Sequence, residues 1–227
     1  MRSRLIPLVG LSLAAAGVLT AIVFISVGEH TTDAPVEGVD TVQRLYGGLE
    51  QDGDALGDPD APVTISIFDD LQCTDCADYY LATVPPLIED LVREGDARLE
   101  FRHRSLGQKE TTLAAFAAAA AGVQDYQWQY IHLVFQNQDQ IRVSGATDEF
   151  LARVADSIPA PQFDVEQWEA DRDSPEVQAE IDSDVQTALD LRLTAAPAVV
   201  VEGPSGSVEL DDSPSLDEIE SAVAEVG

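Results

Sequence analysis

Apolar and polar residues alternate most clearly over residues 63–68, where Val63, Ile65 and Ile67 are interleaved with Thr64 and Ser66 before Phe68 ends the run ahead of Asp69 and Asp70. A period of two predicts a strand with one buried face. Over 77–94 the period changes. Leu81, Val84, Leu87, Ile88 and Leu91 form an apolar stripe at helical spacing, and Pro85 and Pro86 predict a bend within it. Residues 97–103 return to a strand pattern. From Lys109 to about Leu191 nearly everything reads as helix, with the alanine-rich run 114–121 and the segments 128–135, 150–158 and 177–189 as its apolar stretches. Ser174 ahead of Pro175 marks one helix start. Residues 198–201 and 207–210 read as a hairpin around Gly203, Pro204, Ser205 and Gly206, and Ser215 with Glu218 makes a capping box for a last helix. The order strand, helix, strand, helices, hairpin, helix predicts an α/β fold.

Upstream of this pattern, residues 5–27 carry no charge, and as a helix rising about 1.5 Å per residue they are long enough to cross a hydrocarbon layer of about 30 Å. Arg2 and Arg4 precede the run while Glu29, Asp33 and Glu37 follow it, which keeps the N-terminus in the cytoplasm and the rest outside. Two readings stay open. One is a transmembrane helix that remains as a single-pass anchor, favoured by the length of the run; the other is a signal peptide cleaved near Ser26 and Gly28. Either places the remainder on the extracytoplasmic side. Residues 1–28 are thus expected to be the anchor, the polar, glycine-containing stretch 29–57 a tether, and 58–227 one folded domain.

Charge narrows the partners. Against 42 acidic residues stand only 12 basic ones, a net charge of −30, so nucleic acid is not an expected partner. The acids are spread along the chain, which fits solubility better than capture of one basic partner. Lys109 is the single lysine and lies in a polar stretch, so a catalytic lysine is not expected. Cys73 and Cys76 are the only cysteines. Bridging them closes almost no loop, so as a structural staple the pair does little. Following a strand and opening a helix, the pair places Cys73 at a helix N-terminus, where unpaired N–H groups and the helix dipole favour a thiolate. Cys73 is then the exchanging sulfur and Cys76 the shielded, resolving one. Two cysteines do not complete a zinc site, and His30, His103 and His132 lack ligand spacing to them; neither metal nor cofactor is expected.

The run Leu56-Gly57-Asp58-Pro59-Asp60-Ala61-Pro62-Val63-Thr64, continued by Asp70-Leu71-Gln72-Cys73-Thr74-Asp75-Cys76, resembles the opening of DsbA-like proteins of the thioredoxin superfamily, membrane-anchored actinobacterial ones in particular. The segment Thr194-Ala195-Ala196-Pro197-Ala198-Val199-Val200-Val201 resembles that family's cis-proline segment, and the likeness covers roughly residues 47–227. It implies a thioredoxin fold with a helical insertion at about 109–191, Pro197 in cis beside the sulfurs, and the backbone of Ala196 pairing with an extended substrate strand. It also implies thiol-disulfide exchange on cysteine-containing secreted or envelope proteins, with a membrane oxidase or reductase resetting the pair.

The chain departs from that pattern in three places. Thr74 and Asp75 stand where relatives usually have proline and an aromatic residue or histidine. A carboxylate about 6 Å from Cys73, at an effective dielectric constant of about 20–80, costs the thiolate roughly 0.7–2.8 kcal/mol, which blunts an oxidant. Ile67 occupies the position of a buried glutamate that moves protons for the resolving thiol, leaving Asp70 as a candidate for that task. Ala195 and Ala196 replace the usual glycine and threonine.

Other residues have plainer readings. Trp128, Tyr130, His132 and Phe135 fit core packing of the insertion better than a peptide-binding face. Arg102, His103 and Arg104 form a basic cluster suited to ion pairs inside an acidic protein. The competing functional class is a redox-inactive thioredoxin-fold module that recruits a basic partner at the cell surface.

Overall fold

The computed structural model describes residues 34–104 and 109–227. The expected anchor and the first part of the expected tether lie outside the described residues; within them, no helix is long and apolar enough to cross a membrane. The folded unit spans Pro35–Gly227. Its first elements are helix α1 (Val39–Tyr46) and the short strands β1 (Gln51–Asp52) and β2 (Ala55–Leu56). Strand β3 (Val63–Asp69), helix α2 (Thr74–Leu87), a π-helical turn (Ile88–Val92) and strand β4 (Ala97–His103) follow. The insertion contributes α3 (Lys109–Gly122), α4 (Gln127–Gln136), α5 (Gln138–Ser144), α6 (Asp148–Asp156), α7 (Val165–Asp171) and α8 (Pro175–Asp190). The hairpin β5 (Ala198–Gly203) and β6 (Gly206–Leu210) and helix α9 (Leu216–Val226) complete the chain.

The reading of residues up to 57 as a tether is corrected for α1, β1 and β2. Val42 and Tyr46 of α1 and Leu56 of β2 are buried, and β2 pairs antiparallel with β4 through Leu56 and Leu99. The Tyr46 hydroxyl meets the Tyr80 hydroxyl at 2.9 Å and His132 Nδ1 at 3.2 Å, joining α1 to α2 and α4 inside the core. Gly57 then turns the chain at φ 111°, with a would-be Cβ only 2.7 Å from Val92 Cγ1, so glycine is required there.

The sheet has six strands in the order β1-β2-β4-β3-β5-β6; β3 and β4 run parallel, and the other neighbours antiparallel. Period-two patterning decides its faces. Val63, Ile65 and Ile67 pack into the main core with Cys76, Ala77, Tyr80 and Val84 of α2 and Ile219 of α9. Phe68 packs on the other face with Ala188, Leu193, Ala198 and Val200. Pro85 and Pro86 remain inside α2, which passes into the π turn closed by the Arg93 N–H to Ile88 carbonyl bond of 3.0 Å. Two missing N–H donors leave carbonyls one turn back without helical partners, and the wider turn follows.

Alanine explains the insertion's compactness. Ala114, Ala117, Ala118, Ala119, Ala120 and Ala121 have no exposed surface, and α3 is packed by α4, α7 and α8. Side chains that small let surrounding helices approach closely, and larger residues fill the outer layer: the Trp168 indole N–H donates to the Ala117 carbonyl at 2.7 Å. Trp128 is also fully buried and donates to the Asp54 carbonyl at 2.9 Å, so the aromatic face of α4 is core.

Candidate redox site

Strand β3 delivers the chain to the cysteines through a turn with few free backbone groups. Asp69 Oδ1 accepts the Asp70 N–H at 2.8 Å, Asp70 Oδ1 accepts the Gln72 N–H at 2.9 Å, and the Asp70 carbonyl accepts the Cys73 N–H at 3.0 Å. From α5, the Gln138 amide donates to the Leu71 carbonyl at 2.6 Å. This turn makes Cys73 the N-cap of α2: its backbone is extended, and its Sγ accepts the Cys76 N–H at 3.2 Å. A sulfur in the place of a capping oxygen satisfies one of the helix's unpaired N–H groups, an arrangement that strengthens when the sulfur carries charge.

Cys73 and Cys76 are joined as a disulfide with Cα atoms 5.1 Å apart. Their environments differ: Cys73 is half-buried at the rim, whereas Cys76 is fully buried. Thus one sulfur of the bridge is open to attack and the other is sheltered by the first turn.

Pro197 comes to the same end of the sheet. The pairing of Phe68 with Ala198 sets the residues before β5 alongside those following β3, from which the cysteine turn departs. The Ala196–Pro197 peptide is cis, Pro197 is buried, and Ala196 and Cys73 both border the main core.

Asp69 is the residue that the sequence reading passed over. The residue is 1% exposed; among the described residues, Oδ1 accepts a hydrogen bond and buried Oδ2 has no hydrogen-bond partner. Burial lifts this carboxyl well above the usual carboxylate range; the Asp70 N–H opposes the rise and the neighbouring Asp70 charge adds to it. Asp69 shares the strand parity of Ile65 and Ile67, which face α2, and its charge bears on Tyr79 and Tyr80. Those residues follow Cys76 by one helical turn, on the same side of α2 as the buried sulfur. The signal was present as parity, since the alternation beginning at Val63 extends to residue 69.

Away from the cysteines, β4 presents a second titratable cluster. Arg102 pairs with Asp54 at 2.7 Å, Glu100 at 2.5 Å and Asp184 at 3.2 Å, while Asp184 Oδ2 accepts the His103 N–H at 2.8 Å. His103, Glu180 and Asp184 bring ligand-type atoms within 4.8 Å of one another. Both Asp184 oxygens are already occupied by donors, and the positive charge at this place is the Arg102 guanidinium. Burial, assisted by Asp184 and Asp54, pushes the Glu180 carboxyl up to about 8.

A stability test follows from Glu180. A carboxyl raised in the folded state holds its proton more tightly than in the unfolded chain, so stability falls as pH rises from the ordinary 4.5 towards about 8. Glu180→Gln is expected to flatten that slope and to be the more stable protein at pH 8.5 by about 1 kcal/mol, with little difference at pH 5. Urea unfolding at the two pH values measures it. A cavity of about 560 Å³ bordered by Tyr46, Leu49, Gln129 and Pro161 lies elsewhere and touches neither cysteine.

Comparison with known proteins agrees with the geometry. The thioredoxin family model matches residues 50–225. A Bacillus anthracis protein named "Probable disulfide bond formation protein D" is 29% identical over 159 residues, which span 69% of this chain and 73% of that protein. The crystal structure of oxidised BdbD from Bacillus subtilis superposes with a TM-score of 0.66 at 21% identity, covering 76% of this chain and 91% of that one. A thioredoxin-like oxidoreductase from Silicibacter pomeroyi matches with a TM-score of 0.61 at 25% identity, over 80% of this chain and 95% of its own. The bridged Cys73–Cys76 pair at the helix start is the feature that gives this likeness chemical content. The chain belongs to the thioredoxin family and is a thiol-disulfide oxidoreductase.

Proposed function

We propose that the domain works outside the cytoplasm, held at the membrane by residues 5–27, and donates its Cys73–Cys76 disulfide to cysteine-containing secreted or envelope proteins. The observation that carries this reading is the N-cap position of Cys73, which stabilises its thiolate and therefore the reduced form of the pair. A pair more stable when reduced is an oxidant of its substrates. The names of the curated relatives, disulfide bond formation proteins, point the same way.

In the first step a substrate thiolate attacks Cys73 Sγ; a substrate–Cys73 bond forms and the Cys73–Cys76 bond breaks. Cys76 leaves as a thiolate in a fully buried position, where charge is costly, and it requires a proton. Asp69, protonated because burial favours its neutral form, supplies that proton. A second substrate thiolate then attacks the substrate sulfur of the mixed disulfide, and Cys73 departs as the thiolate capped by the helix. The substrate loses two electrons and the pair gains two, which a membrane oxidase removes. Pro197 lies at the end of the sheet from which the cysteine turn departs, and the backbone of Ala196 pairs with the substrate segment around its cysteine.

The deciding measurement is the equilibrium potential of the Cys73–Cys76 pair in the purified chain, by glutathione titration. The expected value lies above about −200 mV. A value near −270 mV, that of a reductase, overturns the direction proposed.

A further inference from the structure

The loop before Pro197 is held from outside its own strand. Asp211, just after β6, accepts three hydrogen bonds from it: Thr194 N–H at 3.0 Å and Thr194 hydroxyl at 2.6 Å on Oδ2, and Ala195 N–H at 3.1 Å on Oδ1. Two residues later the Ser213 N–H donates to the Pro197 carbonyl at 2.9 Å. The turn that makes both attachments is unusual. Asp212 and Ser213 have φ values of 67° and 59°, consecutive non-glycine residues in the left-handed region. Such backbone persists only where its surroundings over-determine it, and it clusters where geometry serves function. On the other side, the loop leaves α8 through Arg192, also left-handed at φ 56°, with the Leu193 N–H bonded to the Ala188 carbonyl at 3.0 Å.

These attachments grip residues 193, 194, 195 and 197 and pass over Ala196. Among the described residues, no backbone hydrogen bond takes the N–H or carbonyl of Ala196. The loop is thus fixed around one residue whose peptide groups are left available. An exposed carboxylate with three donors converging on it is more than a surface acid: burial alone raises its titration, yet the bonds from Thr194 and Ala195 hold the Asp211 carboxyl below its ordinary range.

We propose that Asp211 is a positioning residue for substrate binding: with the strained turn at Asp212 and Ser213, it holds the 194–197 loop in the shape that presents Ala196 to an extended, cysteine-bearing peptide. The proposal rests on the reading of Ala196 as the strand-pairing residue. It assigns specificity for extended polypeptide to a carboxylate that touches neither sulfur nor substrate. Small dithiols, which have no backbone to pair, are indifferent to it.

The test compares two substrates in the full chain: a reduced extended peptide with two cysteines, and dithiothreitol. Asp211→Ala is expected to lower the second-order rate with the peptide about tenfold, since displaced positioning groups act on the reaction through geometry. The dithiothreitol rate and the Cys73–Cys76 potential are expected to stay unchanged. Thr194→Val, near-isosteric and lacking only the hydroxyl bond, is expected to give a smaller drop in the peptide rate alone, and it carries the test if Asp211→Ala does not fold. An unchanged peptide rate in the folded variants overturns the proposal. Equal losses with both substrates, or a shifted potential, also overturn it, because Asp211 then supports the redox site as a whole. A wild-type chain that oxidises dithiothreitol but not the peptide removes the Ala196 reading itself, and the proposal with it.

Discussion

Cys73→Ser is expected to abolish disulfide transfer, while Cys76→Ser is expected to oxidise no reduced substrate and instead to trap oxidised clients as mixed disulfides on Cys73. The asymmetry follows from placement. Cys73 caps α2 at the rim and is half-buried; Cys76 is fully buried in the next turn. Serine at 73 removes the sulfur that substrate reaches, and a hydroxyl forms no disulfide. Serine at 76 keeps the exposed thiolate and its helix-terminal stabilisation but leaves no bridge to donate; that thiolate can still attack the disulfide of an oxidised client, expelling one client thiolate, and with no Cys76 to attack the resulting bond the mixed disulfide accumulates. Non-reducing electrophoresis followed by mass spectrometry reads both outcomes. Retained exchange in Cys73→Ser would exclude the assignment of roles. Preserved partner capture in Cys73→Ser, without any exchange, is the result demanded by the alternative of a redox-inactive recruiting module.

Asp69→Asn is expected to slow the step in which Cys76 gains or loses its proton by about tenfold or more, the range of general acid–base assistance. The same variant is expected to be more stable near neutral pH by about 1–3 kcal/mol, the scale of an unsatisfied buried polar group. The sign follows from linkage. The folded state raises the Asp69 carboxyl above its unfolded value of 3.8, so keeping or removing that buried proton costs stability progressively as pH rises above the unfolded value. Asparagine carries no such cost. Stopped-flow release of glutathione from a Cys73 mixed disulfide, followed against pH, gives the rate; urea unfolding gives the stability. A slower and more stable variant marks a group kept for chemistry, whereas a variant that loses stability without losing rate marks a structural one. Stability traded for a proton-transfer group is the pattern expected of a functional buried acid.

The cysteine roles are close to the sequence, because a strand pattern ending at Phe68 and a helical stripe beginning after Cys76 leave little choice about where Cys73 falls. Caps at Ser174 and Ser215 are equally local, and both form as expected, the latter with its capping box. Asp69 is only half legible. Parity places it on the apolar face of β3, but whether its carboxyl is solvated, paired or stranded depends on what covers the end of that strand, and α2 is brought there by the fold.

Sequence pattern alone specifies the longer elements and the chemistry of the pair: β3 and β4, of 7 residues, pass through about three periods of two, and α2 and α8, of 14 and 16, through about four turns, and so all repeat their hydrophobic signal often enough to be read. The eight residues of α1 and two each of β1 and β2 do not, and their stretch therefore read as tether. Their burial is decided by partners distant in sequence: Tyr80 and His132 for Tyr46, and Leu99 for Leu56. The same holds for the attachment of Asp211 to Thr194, seventeen residues away, across the β5–β6 hairpin. Local pattern specifies which face of an element is apolar; only the tertiary structure specifies what meets that face, and whether a polar group caught there is satisfied.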